Sequence, residues 1–307
     1  MTHFAIFQQT STSFKLFILL FLLLLFALLS VLIGMLFNTL FFNIPLTESV
    51  NLSSTDNGLS IARTFQIISQ IGVFILPPVA LALLISDDPI KFLGFGRKPA
   101  TLQVVTGVVI MFSILPLIQQ LATWNEAIKL PDFLGSIEQW MLEKEQQAEE
   151  ISLKFLEVSS INGLLLNLLM IGILPSVGEE LLFRSVLQPL LGRMLKNIHL
   201  GIILSAILFS MMHLQFYGFI PRFGLGLLLG YFYLWSGSIF VPILMHFVNN
   251  GSAVLVFYFA HNGFIQTNAE EFGSSSNTIV IVLSAFITIG LLYSAYRKKS
   301  LSQHSLK

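Results

Sequence analysis

Long apolar stretches recur along the whole chain and predict membrane-spanning helices. A helix needs about 20 apolar residues to cross the hydrocarbon core of a bilayer, because each residue advances the helix by about 1.5 Å. About eight stretches approach this length, at residues 15–42, 61–86, 101–122, 161–183, 198–214, 220–237, 239–261 and 278–296. The pattern therefore predicts an all-α, polytopic membrane helix bundle of about eight transmembrane helices.

The sizeable polar segment between these runs is 123–160. Within it, residues 137–155 mix apolar and charged side chains, which is typical of an amphipathic helix on the membrane surface or capping the bundle. A solvated connector fits the same pattern equally well. No repeat, linker or shift in composition divides the chain, so residues 1–307 are predicted to form a single membrane domain.

Basic residues are distributed unevenly between alternate connections. Lys and Arg are enriched on the cytoplasmic side of membrane proteins. With a cytoplasmic N-terminus, eleven of the sixteen Lys and Arg residues fall inside, Arg184 among them, while the outer connections 43–60 and 262–277 contain none. The count predicts that both termini are cytoplasmic.

The composition is typical of a membrane protein and excludes several kinds of function. Hydrophobic residues make up 55% of the chain and charged residues 10%, whereas soluble domains carry about 25% charged residues. The formal net charge is zero and no basic patch stands out, so no nucleic-acid partner is expected. The chain has no cysteine, which excludes disulfides, thiolate metal ligands and a cysteine nucleophile.

Glu179 and Glu180 lie inside an apolar run and are followed by Arg184. Ionisable side chains at membrane depth are costly and usually functional. Residues four apart share a helix face, so Glu180 is expected to pair with Arg184, which leaves Glu179 on another face as a candidate general base. In the alternative, the helix breaks at Pro175 and Ser176 caps the next helix with Glu179 as its partner.

Two histidines occupy later apolar segments. Phe209 and His213 are four residues apart, as are His246 and Asn250, so each pair shares a helix face. A histidine and an amide aimed into a bundle can donate hydrogen bonds to a developing oxyanion. The alternatives are an interfacial or packing role for His213 and an interhelical hydrogen-bond clasp for His246 and Asn250.

Other motifs add little chemistry. Gly226 and Gly230 form a small-xxx-small pair that predicts close helix packing. The sequence contains no His-Glu-x-x-His, no Gly-x-Ser-x-Gly and no membrane Asp pair. Zincin, serine-hydrolase and aspartyl mechanisms therefore lack their parts.

The order Glu-Glu-x-x-x-Arg, Phe-x-x-x-His and His-x-x-x-Asn on successive segments resembles the CAAX protease and bacteriocin-processing (CPBP, or ABI) family. This is the family of the type II CAAX prenyl endopeptidases. The resemblance covers about residues 160–255, the expected catalytic core, and includes the glycine-rich stretch ending at Gly237. It implies an eight-helix intramembrane endopeptidase whose site opens toward the cytoplasm.

The resemblance also implies a role for each site residue. Glu179 would activate water with help from His213, Glu180 and Arg184 would orient the site, and His246 and Asn250 would stabilise the oxyanion. The expected mechanism needs no metal. If a divalent metal such as Zn²⁺ is used, Glu179, His213 and His246 are its candidate ligands.

The simplest topology leaves one difficulty, because His213 falls at the outer end of its span whereas Glu179 and His246 lie toward the cytoplasmic half. A break at Pro175, a tilt or a deeper fifth helix would bring the three level.

The expected partners are membrane lipid and a peptide or protein substrate cut near its C-terminus, which includes lipidated or prenylated substrates. The expected location is a bacterial inner (cell) membrane. A non-catalytic scaffold or bacteriocin-immunity protein is the main alternative function. A proton-coupled transporter is a weaker one, since no inverted repeat is detectable.

Overall fold

The computed structural model describes residues 5–46, 58–266 and 272–304, with side chains described up to Arg297. Within these ranges every regular element is helical and no strand occurs, as the sequence predicted. The helices are α1 Thr12–Phe42, α2 Gly58–Ile85, α3 Pro89–Phe92, α4 Thr101–Ser113, α5 Leu115–Glu126, α6 Gly135–Leu156, α7 Ile161–Met194, α8 Ile198–Met211, α9 Phe219–Ser236, α10 Phe240–His261 and α11 Thr278–His304. Single 3₁₀ turns at Asp132–Leu134 and Phe216–Gly218 precede α6 and α9.

Several of these helices are long and apolar enough to cross a membrane. Among the described residues they are α1, α2, α7, α10 and the Thr278–Arg297 part of α11. The pair α4 and α5, bent by 48°, adds a sixth span if it is counted as one. The protein is therefore an all-α, multi-pass membrane protein, while the count of eight spans and the cytoplasmic termini remain predictions. The described part excludes residues 47–57 and 267–271 of the predicted outer connections. It also excludes His3, Lys307 and the side chains of Lys298, Lys299 and His304.

Helix α6 confirms the helix predicted over 137–155, and its C-terminal end is fastened to the bundle. Phe155 is buried, and its carbonyl oxygen accepts a hydrogen bond of 2.6 Å from Asn167 Nδ2 on α7. Toward the other end, the Trp140 ring lies 5.4 Å from the Phe216 ring. The segment is thus more than a solvated connector, because both of its ends contact the bundle.

Three π-helical segments interrupt α2 and α7, and each ends just before a proline. They span Gln70–Ile75, Leu168–Ile173 and Leu181–Leu187, and the prolines are Pro77, Pro175 and Pro189. Proline lacks the N–H of the helical ladder, and its ring clashes with the carbonyl oxygen four residues earlier. A wider turn before the proline relieves this conflict without ending the helix. Helix α7 therefore runs through Pro175, where the alternative interpretation placed a break.

The unbroken course of α7 corrects two details of the sequence interpretation. The predicted span 161–183 extends to Met194. Arg184, counted among the residues of a cytoplasmic connection, is a helical residue with 1% of its surface exposed. Its charge therefore belongs to the interior of the bundle and does not report on topology.

Glycines bring α7, α8 and α9 close together. A Cβ atom on Gly201 of α8 would lie 2.6 Å from the backbone nitrogen of Gly192 on α7. A Cβ atom on Gly226 of α9 would lie 3.0 Å from the Cβ atom of Ala206 on α8, and one on Gly230 would lie 2.9 Å from Ile202. The close packing predicted for Gly226 and Gly230 is therefore confirmed.

Candidate active site

Glu180 and Arg184 form a buried ion pair inside α7. Arg184 Nε lies 3.0 Å from Glu180 Oε2, and neither side chain is more than 1% exposed. The guanidinium also stacks on Phe209 of α8, with Cζ 4.5 Å from the ring centroid. Its NH2 group donates to the carbonyl oxygen of Gly226 on α9 at 3.4 Å. The predicted pairing of Glu180 with Arg184 is present, and it connects three helices.

His246 of α10 lies between the two glutamates of α7. Its Nδ1 is 2.8 Å from Glu180 Oε1, a hydrogen-bond distance. Its Nε2 is 3.9 Å from Glu179 Oε2. An ionised carboxylate only accepts hydrogen bonds, so Nδ1 carries a proton and Nε2 is the atom directed toward Glu179. The sequence placed His246 near Glu179 but gave no sign that Glu180 would hold the opposite side of its ring.

The Glu179 carboxylate is buried, and one of its oxygens has no hydrogen-bond partner. The residue is 6% exposed, and its Oε2 atom has no hydrogen-bond partner. The alternative in which Ser176 caps a new helix is wrong, because the Ser176 hydroxyl donates to the Gly172 carbonyl oxygen at 2.6 Å within a continuous helix. Buried polar atoms are normally paired. The carboxylate of Glu179 is therefore available for chemistry and has no structural bond to give up.

His213 belongs to the same cluster and follows the short helix α8. Fourteen residues extend about 21 Å, less than the roughly 30 Å of a bilayer core. The Phe209 ring lies edge-on between the two histidines, with centroids 5.2 Å from His213 and 5.9 Å from His246. Glu179 and His246 are both close enough to interact electrostatically with His213. Of the three explanations for the depth difficulty, the break at Pro175 is wrong because α7 is continuous there, while the tilt and the deeper fifth helix stay predictions.

His213 also has a defined tautomer. Its Nδ1 lies 2.9 Å from the carbonyl oxygen of Phe209, one turn earlier in α8. A carbonyl oxygen only accepts, so this nitrogen carries a proton and a neutral ring keeps its lone pair on Nε2. Helix α8 ends at Met211, two residues before His213, and Leu214 adopts a left-handed conformation with φ of +51°.

Asn250 follows His246 by one turn on α10. Its Nδ2 donates to the carbonyl oxygen of Ile171 on α7 at 3.1 Å, and its Oδ1 accepts from Asn249 at 3.0 Å. This is the interhelical clasp that was considered as an alternative. An amide nitrogen has two protons, so one N–H of Asn250 stays free beside the face that carries His246.

A supporting pair of polar contacts was missed from the sequence. Gln188 is 2% exposed, and its Nε2 donates to the carbonyl oxygen of Gly230 at 3.1 Å. The contact repeats that of Arg184 with Gly226 one turn later on both helices. The i,i+4 spacing of Arg184 and Gln188, matched by the spacing of Gly226 and Gly230, is the signal that would have found it.

The candidate metal ligands do not converge. Within the described part of the chain, no three His, Asp or Glu side chains are grouped so that they could hold a metal ion. Glu179, His213 and His246 share a neighbourhood, but Phe209 lies between the two imidazole rings. The arrangement does not fit a Zn²⁺ site built from these three residues.

Comparisons with known proteins support the resemblance found in the sequence. Residues 161–252 match the family described as type II CAAX prenyl endopeptidase Rce1-like, which is a family of membrane proteases. The match contains all six candidate site residues.

One relative is an uncharacterized protein, YpbD, of Bacillus subtilis (strain 168). The two are 30% identical over 86 residues, which is 27% of this chain and 41% of the length of YpbD. No solved structure matches the chain significantly.

Proposed function

We propose that this protein is an intramembrane endopeptidase in which Glu179 activates a water molecule for attack on a peptide bond. The observation that carries the proposal is the position of the Glu179 carboxylate. It is buried among apolar helices, its Oε2 lacks a hydrogen-bond partner, and it lies 3.9 Å from His246 Nε2. That separation is too long for a direct hydrogen bond and suits a bridging water molecule.

The first step is proton transfer from water to Glu179. As the water oxygen bonds to the carbonyl carbon, its proton passes to the carboxylate and the carbonyl electrons move onto oxygen. The lone pair on His213 Nε2 accepts a hydrogen bond that orients the water. Collapse of the tetrahedral intermediate breaks the C–N bond, and the proton held by Glu179 passes to the departing amine.

His246 and Asn250 supply the hydrogen bonds to the oxyanion. With Nδ1 donating to Glu180 Oε1, His246 Nε2 donates only when the ring is an imidazolium. The free N–H of Asn250 is the second donor.

The proposed substrate is a membrane-associated protein or peptide that is cut near its C-terminus, and the proposed location is a bacterial inner membrane. The resemblance to prenyl endopeptidases makes a prenylated tail one candidate. Purified protein in proteoliposomes is incubated with matched C-terminal peptides with and without a farnesyl group, and products are identified by mass spectrometry. We expect wild-type protein to cut at least one peptide and Glu179→Gln to cut neither. Absence of cleavage of a broad peptide library, with proton-coupled uptake in the same vesicles, would instead favour a transporter.

A further inference from the structure

A cleft lies beneath the amphipathic helix α6. It encloses about 870 Å³, within the roughly 300–1,000 Å³ typical of ligand-binding clefts. Its walls come from α5, α6, the beginning of α9 and the second half of α10, and most of the lining is apolar, with Ile118, Leu142, Leu153 and Phe257 as examples. We refer to it as the α6 cleft.

The α6 cleft and the candidate active site share one face of α10. His246, Asn250, Ala253 and Phe257 are spaced by four, three and four residues, which places them on one face of the helix. The last two line the cleft, and the first two belong to the site. A chain lying in the cleft would therefore continue along α10 to the reacting groups.

A second connection runs through Arg222 at the beginning of α9. This side chain lines the cleft and is close enough to Glu145 and Glu179 to interact with both charges. Its guanidinium donates to the backbone oxygen and the side-chain oxygen of Gln215, at 3.0 Å and 2.6 Å. The cation is thus held in place where the cleft meets the site.

Carboxylates outnumber cations around the cleft. Glu126, Glu138, Glu145 and Glu149 line it, against Lys129 and Arg222. Glu145 accepts a hydrogen bond from the backbone N–H of Tyr217. Glu126, Glu138 and Glu149 have no ion pair or hydrogen bond within the described residues. An apolar cleft with unpaired carboxylates complements a peptide that carries both apolar and basic side chains.

We infer that the α6 cleft binds a basic, partly apolar segment of the polypeptide substrate and leads it to Glu179. This inference rests on the proposed function and names the class of substrate. The apolar walls supply area to bury, and the carboxylates select Lys and Arg over neutral or acidic side chains. Attraction between exposed charges is screened by salt, so the preference weakens as ionic strength rises.

Binding is measured separately from cleavage, in protein that carries Glu179→Gln so that the probe is not consumed. The probes are two fluorescein-labelled nonapeptides, one alternating Lys with Leu and the other alternating Gln with Leu. Fluorescence anisotropy is recorded with the full chain in detergent at low and at high salt. The test variant adds Glu138→Gln and Glu149→Gln. The control adds Glu143→Gln and Glu157→Gln, which change the net charge equally on or beside α6 but lie outside the cleft lining.

We expect the Lys peptide to bind at least about tenfold more tightly than the Gln peptide at low salt. The test variant should lose about 3- to 10-fold of that affinity, because it removes two of the carboxylates that attract Lys, and the control should lose less than twofold. Equal binding of the two peptides, or an equal loss in both variants, would overturn the inference.

The proposed function can fail separately. If the Lys peptide binds in the expected pattern but protein with an intact Glu179 does not cut it, the cleft inference is supported. The peptidase proposal then fails for basic, partly apolar peptides. If that protein cuts the peptide and the Glu138→Gln, Glu149→Gln pair leaves both binding and cleavage unchanged, the peptidase stands and the cleft inference fails.

Discussion

His246 Nδ1 lies 2.8 Å from Glu180 Oε1, and both side chains are buried where α7 and α10 meet. The bond joins residues 66 positions apart in the sequence. It fixes the ring so that Nε2 is directed toward Glu179. Glu180 is therefore a positioning residue that acts through His246.

Glu180→Gln should lower kcat about 10- to 100-fold with a small effect on KM. The amide keeps the shape, but its neutral oxygen accepts the hydrogen bond from Nδ1 less strongly than a carboxylate does, so the ring is held less firmly. Steady-state kinetics that determine kcat and KM separately check this. A variant with wild-type kcat would remove Glu180 from the mechanism.

The sequence predicted the helices well because their signals are local. Apolar runs fixed α1, α2 and α10 to within a few residues, and i,i+4 spacing was enough to pair Glu180 with Arg184. The contact of His246 with Glu180 joins two helices and depends on their relative rotation, which periodicity does not encode. Helix α8 ends at Met211 instead of the expected 214, so His213 lies just beyond the helix, which the apolar run did not indicate.

The course of α7 was also hard to predict. Pro175 in a sequence usually indicates a helix boundary, yet the π-helical turns over Leu168–Ile173 carry the chain past it. The choice between a break and a widened turn depends on what packs against the helix. Here Phe74 of α2 packs directly against Gly178. A Cβ atom on Gly178 would lie 2.8 Å from the Cβ atom of Phe74.

Gly226→Leu should destabilise the protein by about 1–3 kcal/mol, because α8 and α9 have no space for the side chain. It should also reduce activity, since Arg184 donates to the carbonyl oxygen of Gly226. Thermal unfolding in detergent and the cleavage rate provide the two readouts. Gly224→Leu is the matched control on the same helix, as no atom lies within 4 Å of a Cβ there. Equal destabilisation by both changes would argue against the packing account.

Activity should survive removal of metal ions. We expect dialysis against a strong chelator to change the cleavage rate less than twofold, because Glu179, His213 and His246 do not form a ligand set. Inductively coupled plasma mass spectrometry of the dialysed sample confirms that metal has been removed. A loss of activity that stoichiometric Zn²⁺ restores would contradict the proposed mechanism.

The orientation in the membrane can be tested with single cysteines, because the chain contains none of its own. The count of basic residues predicts that α6 lies outside, whereas the family resemblance implies a site that opens to the cytoplasm. If the α6 cleft leads to the site, both must open on the same side of the membrane, so these two predictions conflict. We expect Gln139→Cys to react with a membrane-impermeant maleimide in intact cells and Lys98→Cys to react only after permeabilisation. The reverse pattern would place the cleft on the cytoplasmic side.

In the proposed mechanism, Glu179 is the base that activates water. The most direct measurement is the single-turnover cleavage rate of a peptide substrate by wild-type and Glu179→Gln protein in proteoliposomes, with binding of the same peptide measured in parallel. We expect a rate about 10²- to 10⁴-fold lower for the variant, with affinity within a few fold of wild type. Cleavage by Glu179→Gln at the wild-type rate would contradict it.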